Sequence, residues 1–159
     1  MVELMIRPAA PGDAELLQRF VGELVVAEEY EVEVTAEPAD LDRALFGDAP
    51  VAEAVVAEAD GEPVGFALFY PSYSTISGRS GIHLEDLYIS AEYRGEGYGL
   101  ELLRHLAGRA AALGGRLEWW VLRTNHDAIR FYRRLGASGL DEIEVMRLDG
   151  ERLTELVTS

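Results

Sequence analysis

The chain has 159 residues, 48% of them apolar, which predicts one globular domain over residues 1–159 with a hydrophobic core. A formal net charge of −15 repels nucleic acid, and no apolar run is long enough to cross a bilayer, so we expect neither a nucleic-acid nor a membrane partner. The absence of cysteine excludes disulfides, thiolate metal sites and a cysteine nucleophile. The first ten residues lack the basic flank and apolar run of a signal peptide, and we therefore expect a cytoplasmic protein.

Apolar periodicity and turn residues predict the elements in the first half of the chain. The pair Asp60-Gly61 is typical of a two-residue hairpin turn, whereas the serine- and glycine-rich stretch 71–81 is interpreted as a loop. The predicted elements are a strand over 2–7, a helix over 13–30, a short helix over 38–46 and hairpin strands over 51–59 and 64–70.

The second half of the chain predicts a central strand and three more helices. Its elements are a strand over 82–89, a helix over 97–113, a strand over 116–122, a helix from Asn125 to Gly136, a strand over 144–148 and a short helix or tail over 153–157. The hairpin implies antiparallel pairing, and the crossovers through the last two long helices imply parallel pairing. We therefore predict a single α/β domain with a mixed, mostly antiparallel sheet flanked by helices.

A glycine-rich loop, YRGEGYG at 93–99, joins the central strand to the following helix. The exposed N-terminus of a helix carries free N–H groups and a partial positive charge, which suit a phosphate. A Walker-type P-loop needs a lysine before a serine or threonine, and a chain without lysine excludes it. A dinucleotide fingerprint stays open as an alternative, with Glu118 near the expected ribose ligand, although the glycines fall as G-x-G-x-G. Eight arginines against four acids between Arg94 and Arg134 also favour an anion here.

The same loop resembles the acyl-coenzyme A loop of the GNAT N-acetyltransferase superfamily, whose pattern is R/Q-x-x-G-x-G/A, with Arg94, Gly97 and Gly99 at its named positions. The segments IRPA at 6–9, LED at 84–86 and NHDAIRFYRRLGAS at 125–138 extend the resemblance to diamine (spermidine/spermine) and thialysine acetyltransferases. It implies acetyl-CoA as co-substrate, no metal, a homodimer, and a small cationic amine acceptor that attacks directly in a ternary complex. That acceptor is either a polyamine or diamine, or a lysine-like amino acid.

Acetyl transfer requires a neutral amine, and an alkylammonium is neutral in only roughly one molecule in two thousand at pH 7. Glu85, in the middle of the predicted central strand, is our candidate base. Its neighbour Asp86 would face the other side of a regular strand, unless a bulge intervenes. The resemblance implies that Tyr132 is the general acid for the coenzyme A thiolate.

The resemblance further implies two sets of binding residues. Asn125 is expected both to cap a helix and to contact the pantetheine arm. The cofactor set is Leu87, Tyr88, Ile89, Arg94, Gly95, Glu96, Gly97, Tyr98, Gly99, Asn125 and Tyr132. The substrate set is Glu28, Glu29, Tyr30, Glu85, Asp86 and Arg123.

The substrate side departs from the diamine pattern. The segment 72–81 contains neither an acid nor a tryptophan, and Arg123 would repel a polyamine but pair with a substrate carboxylate. Two other functions stay open from the sequence, namely a non-catalytic acyl-CoA-binding sensor and an acetyltransferase acting on a protein amine. The three histidines show no metal-ligand spacing, so we expect no metal site.

Overall fold

A computed structural model describes residues 2–159 and divides the chain into a first unit that ends at Trp120 and a second unit, Val121–Ser159. The first unit contains a five-stranded sheet in the order β1-β2-β3-β4-β5, antiparallel except for the parallel pair β4–β5. Its elements are β1 (Leu4–Pro8), α1 (Ala14–Ala27), α2 (Pro38–Phe46), β2 (Glu53–Ala59), β3 (Glu62–Ser74), β4 (Arg79–Ile89), α3 (Tyr98–Ala112) and β5 (Leu117–Trp119). The predicted fold class is confirmed.

Helix α2 and the turn between β2 and β3 form where the sequence predicts them, and interactions between neighbouring residues explain both. Pro38 starts α2, and the residue before it, Glu37, forms a capping box with Asp40, whose carboxylate accepts the Glu37 N–H at 2.9 Å. Asp60 and Gly61 both have positive φ, at 49° and 84°, as a two-residue hairpin turn requires.

The core of the first unit sets which face of the sheet points towards α1. Phe20 of α1 lies 5.8 Å from the Phe66 ring and 5.7 Å from the Tyr88 ring, and Leu68 belongs to the same buried cluster. Each such fully buried aromatic or aliphatic side chain contributes about 1.5–3 kcal/mol of transfer free energy. On β3, Leu68 and Tyr70 are two residues apart, so Tyr70 faces the same side of the sheet just beyond this core.

The segment 71–81 is not the loop that its composition predicts. The β3–β4 hairpin continues through it, pairing Tyr73 with Ser80 and Ser74 with Arg79 before the turn. Gly78, with φ of 67°, allows the tight reversal. Serine and glycine favour loops by their local preference, but hydrogen-bonded pairing with the opposite strand of the hairpin overrides that preference.

The second unit holds two helices, α4 (His126–Arg134) and α5 (Gly150–Thr158). The predicted cap of α4 is present, since Asn125 Oδ1 accepts the Ala128 N–H at 3.3 Å. The predicted strand over 144–148 is wrong, because no residue there is in a strand. A strand needs a neighbour for its backbone groups, and no strand is assigned between residues 121 and 159. The helix predicted over 13–30 also ends earlier, at Ala27, and the strand predicted over 116–122 is shortened to β5.

Candidate functional site

A β-bulge in β4 shapes the site. Leu68 of β3 pairs with Asp86 and the next residue, Phe69, pairs with Leu84, so Glu85 is the extra residue of β4. Tyr70 Oη donates a hydrogen bond to Glu85 Oε2 at 3.0 Å, which places the Glu85 side chain on the α1-facing side of the sheet. Asp86 opposes Leu68, which faces the same side. The bulge that the sequence analysis left open is therefore present, and the two acids do not face opposite ways as they would in a regular pleat.

Glu28, Glu85 and Asp86 form what we call the acidic cluster. Asp86 is half-buried, and its pKa is raised to about 6, first by burial and then by the charges of Glu85 and Glu28. Burial also raises the pKa of Glu28, which follows α1 directly. Three carboxyl groups held this way are stabilised in their ionised form by a bound cation.

The other two residues predicted beside Glu28 lie differently. Glu29 and Tyr30 are exposed after the end of α1, and Glu29 adopts a left-handed backbone with φ of 51°. Of the three, Glu28 is the residue whose charge acts on Asp86. The role of Glu29 and Tyr30 in binding substrate stays a prediction.

Tyr70, His83 and Trp120 form an aromatic row beside the acidic cluster. The Tyr70 and His83 rings stack with centroids 5.0 Å apart, and the Trp120 ring meets His83 edge-on at 5.3 Å. His83 Nε2 lies 3.8 Å from Glu85 Oε2. Burial, followed by the bond to Glu85, raises the pKa of Tyr70 to about 12, so its hydroxyl stays protonated and continues to donate.

Sequence reasoning missed the aromatic row. Tyr70 and His83 become neighbours only because the hairpin pairs them directly, and that pairing depends on the strand continuing past Tyr70. The available signal was the alternation of side chains from Tyr70 to Ser74 and from Arg79 to His83, which the serine and glycine content obscured.

The glycine loop has a backbone that suits a phosphate. Gly95 and Gly97 have φ of 84° and 87°, a conformation that side chains rarely tolerate, and Gly97 is the N-cap of α3. Gly95, Glu96 and Gly97 are exposed, whereas the buried Tyr98 anchors the first turn of α3. The free N–H groups at this helix start therefore lie at an open surface without side chains to block an anion. Gly99 follows within the first turn, where a Cβ would only reach ordinary contact with Ile89 at 3.9 Å.

Arg94 is engaged within the protein. Its Nε donates to the carbonyl of Ile89 at 3.0 Å, and its guanidinium lies 5.6 Å from the centroid of the Tyr88 ring. It lines a cavity of about 900 Å³ between α1 and the turn after β4, together with Arg19 and Glu23. This geometry indicates that Arg94 braces the end of β4, and its contact with a phosphate stays a prediction.

Beyond Leu84, no described strand pairs with the edge of β4 that faces β5. Strand β5 pairs with β4 at Ile82, His83 and Leu84, and among the described residues it extends no further than Trp119. Residues 85–89, which include the predicted contacts Leu87 and Ile89, continue past this pairing. A backbone edge of this kind can hydrogen-bond an extended ligand that carries amide groups, as in strand addition.

The remaining predicted residues belong to the second unit. Asn125 caps α4, as above, and the Tyr132 ring lies 5.5 Å from the Phe131 ring on the same helix. Tyr132 is half-buried and Arg123 is exposed. The roles of Arg123, Asn125 and Tyr132 towards ligands stay predictions.

Residues 2–159 show neither a metal-binding cluster nor a membrane-spanning helix. No group of three or more histidine, cysteine or acidic side chains there is arranged to hold a metal ion. Nor does any helix in this range have the length and apolar content needed to cross a membrane.

Comparison with known proteins identifies the class that this fold and loop define. Residues 19–137 match the Acetyltransferase (GNAT) family, and the chain belongs to that family. It is 38% identical to a thialysine N-epsilon-acetyltransferase from Bos taurus over 98% of both chains. It is 32% identical to spermidine/spermine N(1)-acetyltransferase-like protein 1 from Homo sapiens, over 95% of this chain and 23% of that protein. An integron cassette protein from V. cholerae superposes with a TM-score of 0.77 at 28% identity over 98% of both chains. The chain is therefore an acetyltransferase, of a family that uses acetyl-CoA.

Proposed function

We propose that this enzyme transfers an acetyl group from acetyl-CoA to a primary amine of a small cationic substrate, with both reactants bound together in a ternary complex. The acceptor is a polyamine or diamine, or a lysine-like amino acid. The observation that carries this proposal is the acidic cluster next to the aromatic row. The names of the relatives, which refer to thialysine and to spermidine and spermine, support an acceptor of this kind.

The acidic cluster and the aromatic row together suit an alkylammonium group. A cation near Asp86 would offset the repulsion from Glu85 and Glu28 that raises its pKa. The ring faces of Tyr70 and Trp120 attract a cation and shield the alkyl chain from water. Neutral acceptors would leave the repulsion between these carboxylates without a compensating positive charge.

In this proposal Glu85 removes the proton that the bound ammonium must lose. Its Oε2 atom accepts from Tyr70 Oη, which fixes the carboxylate orientation because the Tyr70 hydroxyl remains protonated. The proton moves from the substrate nitrogen to the Glu85 carboxylate, directly or through one water molecule.

Two features of the first unit support binding of the acyl donor. The N–H groups from Gly95 to Gly99 at the start of α3 bind the diphosphate, and the open edge of β4 binds the amide-containing arm. When bound, acetyl-CoA supplies an acetyl group activated as a thioester. As the family resemblance implies, Tyr132 would donate its phenolic proton to the departing sulfur.

The proposal includes a cytoplasmic homodimer. No residue of α4 or α5 is buried, and apolar side chains such as Leu153, Leu156 and Val157 are at least half exposed. Several exposed apolar side chains on one segment favour burial against a second protein surface. Sedimentation of the purified chain at micromolar concentration tests this, and a monomer at all concentrations would contradict it.

The test of function is coenzyme A release from acetyl-CoA with spermidine, putrescine, lysine, thialysine and a peptide amine. Wild type is compared with Tyr132→Phe and Glu85→Gln, and acetyl-CoA binding to each is measured by calorimetry. We expect turnover of at least one small amine, with kcat lowered about 100-fold or more in each variant, as for loss of a general acid or base. Binding of acetyl-CoA without turnover of any amine would instead favour a sensor, and turnover of the peptide alone would favour a protein substrate.

A further inference from the structure

A second polar cavity lies on the β3–β4 hairpin, on the far side of the aromatic row from the glycine loop. It has a volume of about 240 Å³, enough for a small anionic group. We call it the serine–arginine pocket. Its lining consists of serines, glycines and arginines, with no acid among them: Ser72, Ser74, Ser77, Arg79, Gly81, Gly114, Gly115 and Arg116.

The pocket continues the face that carries the aromatic row. Ser72 pairs with Gly81 across the hairpin, one step of two residues beyond the pair Tyr70–His83. Arg116 directly precedes Leu117, the partner of Ile82, and so lies beside Gly81. The sheet therefore presents acids, then aromatic rings, then serines and arginines in sequence along one surface.

Two glycines permit the close backbone packing that forms the pocket wall. A Cβ at Gly81 would lie 2.5 Å from the carbonyl oxygen of Arg116, and one at Gly115 would lie 1.8 Å from the carbonyl oxygen of Ser80. Neither position admits a side chain without movement of the backbone. The chain from α3 into β5 is thereby held against the start of β4, which brings Arg116 beside Arg79.

Both arginines retain hydrogen-bonding capacity towards a ligand. Arg79 Nη1 makes a long contact of 3.4 Å with the Gly114 carbonyl, and Arg116 Nε pairs with Glu118 Oε2 at 3.2 Å. A guanidinium has five N–H donors, so each has several more to offer, and the serine hydroxyls add further donors. The whole chain has a net charge of −15, but these two guanidinium groups make the pocket locally positive. A locally positive pocket attracts an anion.

We propose that the serine–arginine pocket binds a carboxylate of the acetyl acceptor. Glu85 lies four residue steps after Gly81, about 13 Å along the strand. The Arg116 and Glu85 side chains both extend into that interval, since Arg116 contacts Glu118, the partner of His83, and Glu85 lies near His83 itself. The acceptor is accordingly an amino acid whose reacting amine lies at the end of an alkyl chain. Arg116 binds its carboxylate, in place of Arg123, which the sequence suggested. This inference rests on the proposed function and selects between its two substrate classes.

The test compares lysine with cadaverine, which is lysine without its carboxylate, in wild type, Arg116→Gln and Arg79→Gln. Arg104→Gln, which removes an exposed arginine of α3, is the matched control. We expect wild type to prefer lysine, and Arg116→Gln to lower kcat/KM for lysine about tenfold or more with cadaverine unchanged, the effect of losing a charged hydrogen bond. Turnover of cadaverine at the wild-type rate also shows that the variant is folded.

Several outcomes would overturn the inference. These are a wild-type preference for cadaverine, an Arg116→Gln effect of equal size on both amines, or no effect on lysine. With acetyl-CoA at saturating concentration, so that the glycine loop is occupied, inorganic phosphate should inhibit lysine turnover and spare cadaverine, and if it changed both rates alike the pocket would bind a free anion instead. Each of these results leaves acetyl transfer intact, whereas failure of every amine to release coenzyme A refutes the proposed function itself. In that case calorimetry decides this inference separately, with tighter binding of lysine than of cadaverine expected in wild type and lost in Arg116→Gln.

Discussion

The stability of this protein should depend on pH through Asp86. In the folded chain its pKa is raised to about 6 from an ordinary value of 3.8, by burial and by the charges of Glu85 and Glu28. Between these values the folded chain holds a proton that the unfolded chain has released, so the free energy of unfolding falls as pH rises. The destabilisation is complete above pH 7.

Asp86→Asn removes this charge while keeping the shape of the side chain. At 1.36 kcal/mol per pKa unit, the variant should be more stable than wild type by about 1 kcal/mol at pH 4.5 and about 3 kcal/mol at pH 8. The contributions of acids that do not act on Asp86 are shared by both proteins and cancel in the difference.

Urea denaturation of both proteins in steps from pH 4.5 to pH 8 measures this difference. Asp48→Asn, the same chemical change at an exposed position, is the control and should show no pH-dependent difference. If Asp86→Asn were equally stable relative to wild type at all pH values, or less stable at pH 8, Asp86 would not be held in a repulsive, desolvated site.

The other predictions concern backbone conformation. Gly97→Ala forces an alanine to φ near 87°, which should cost about 1–2 kcal/mol of unfolding free energy and weaken acetyl-CoA binding in calorimetry. Gly108→Ala, within α3 and facing open space, should instead stabilise by about 0.5–1 kcal/mol, and equal effects of the two would contradict the left-handed requirement. Asn125→Ala removes the hydrogen bond to the Ala128 N–H and should lower the stability of α4 by about 1 kcal/mol. Hydrogen exchange measures this loss, because the amides of α4 should exchange faster. Unchanged exchange would mean that the cap does not stabilise α4.

The features predicted correctly depend on neighbours in sequence. Pro38 with its capping box starts α2, Asp60-Gly61 makes the hairpin turn, and the glycines at 95 and 97 take up the left-handed backbone that opens the start of α3. Each follows from φ preferences and hydrogen bonds within a few residues, which a sequence carries directly. The family resemblance rested on the same local segments.

The substrate side of the site depends instead on which residues pair across strands. The bulge at Glu85 turns that acid to the side of Asp86, the extended hairpin places Tyr70 against His83, and the crossover through α3 brings Arg116 beside Gly81. The absence of a strand over 144–148 has the same origin, because a strand exists only where another strand satisfies its backbone groups. Strand register is set by packing between residues distant in sequence, and a shift of one residue exchanges the faces of every side chain. The sequence by itself therefore determined the glycine loop and the family, while the tertiary structure alone decided which side chains lie together in the candidate acceptor site.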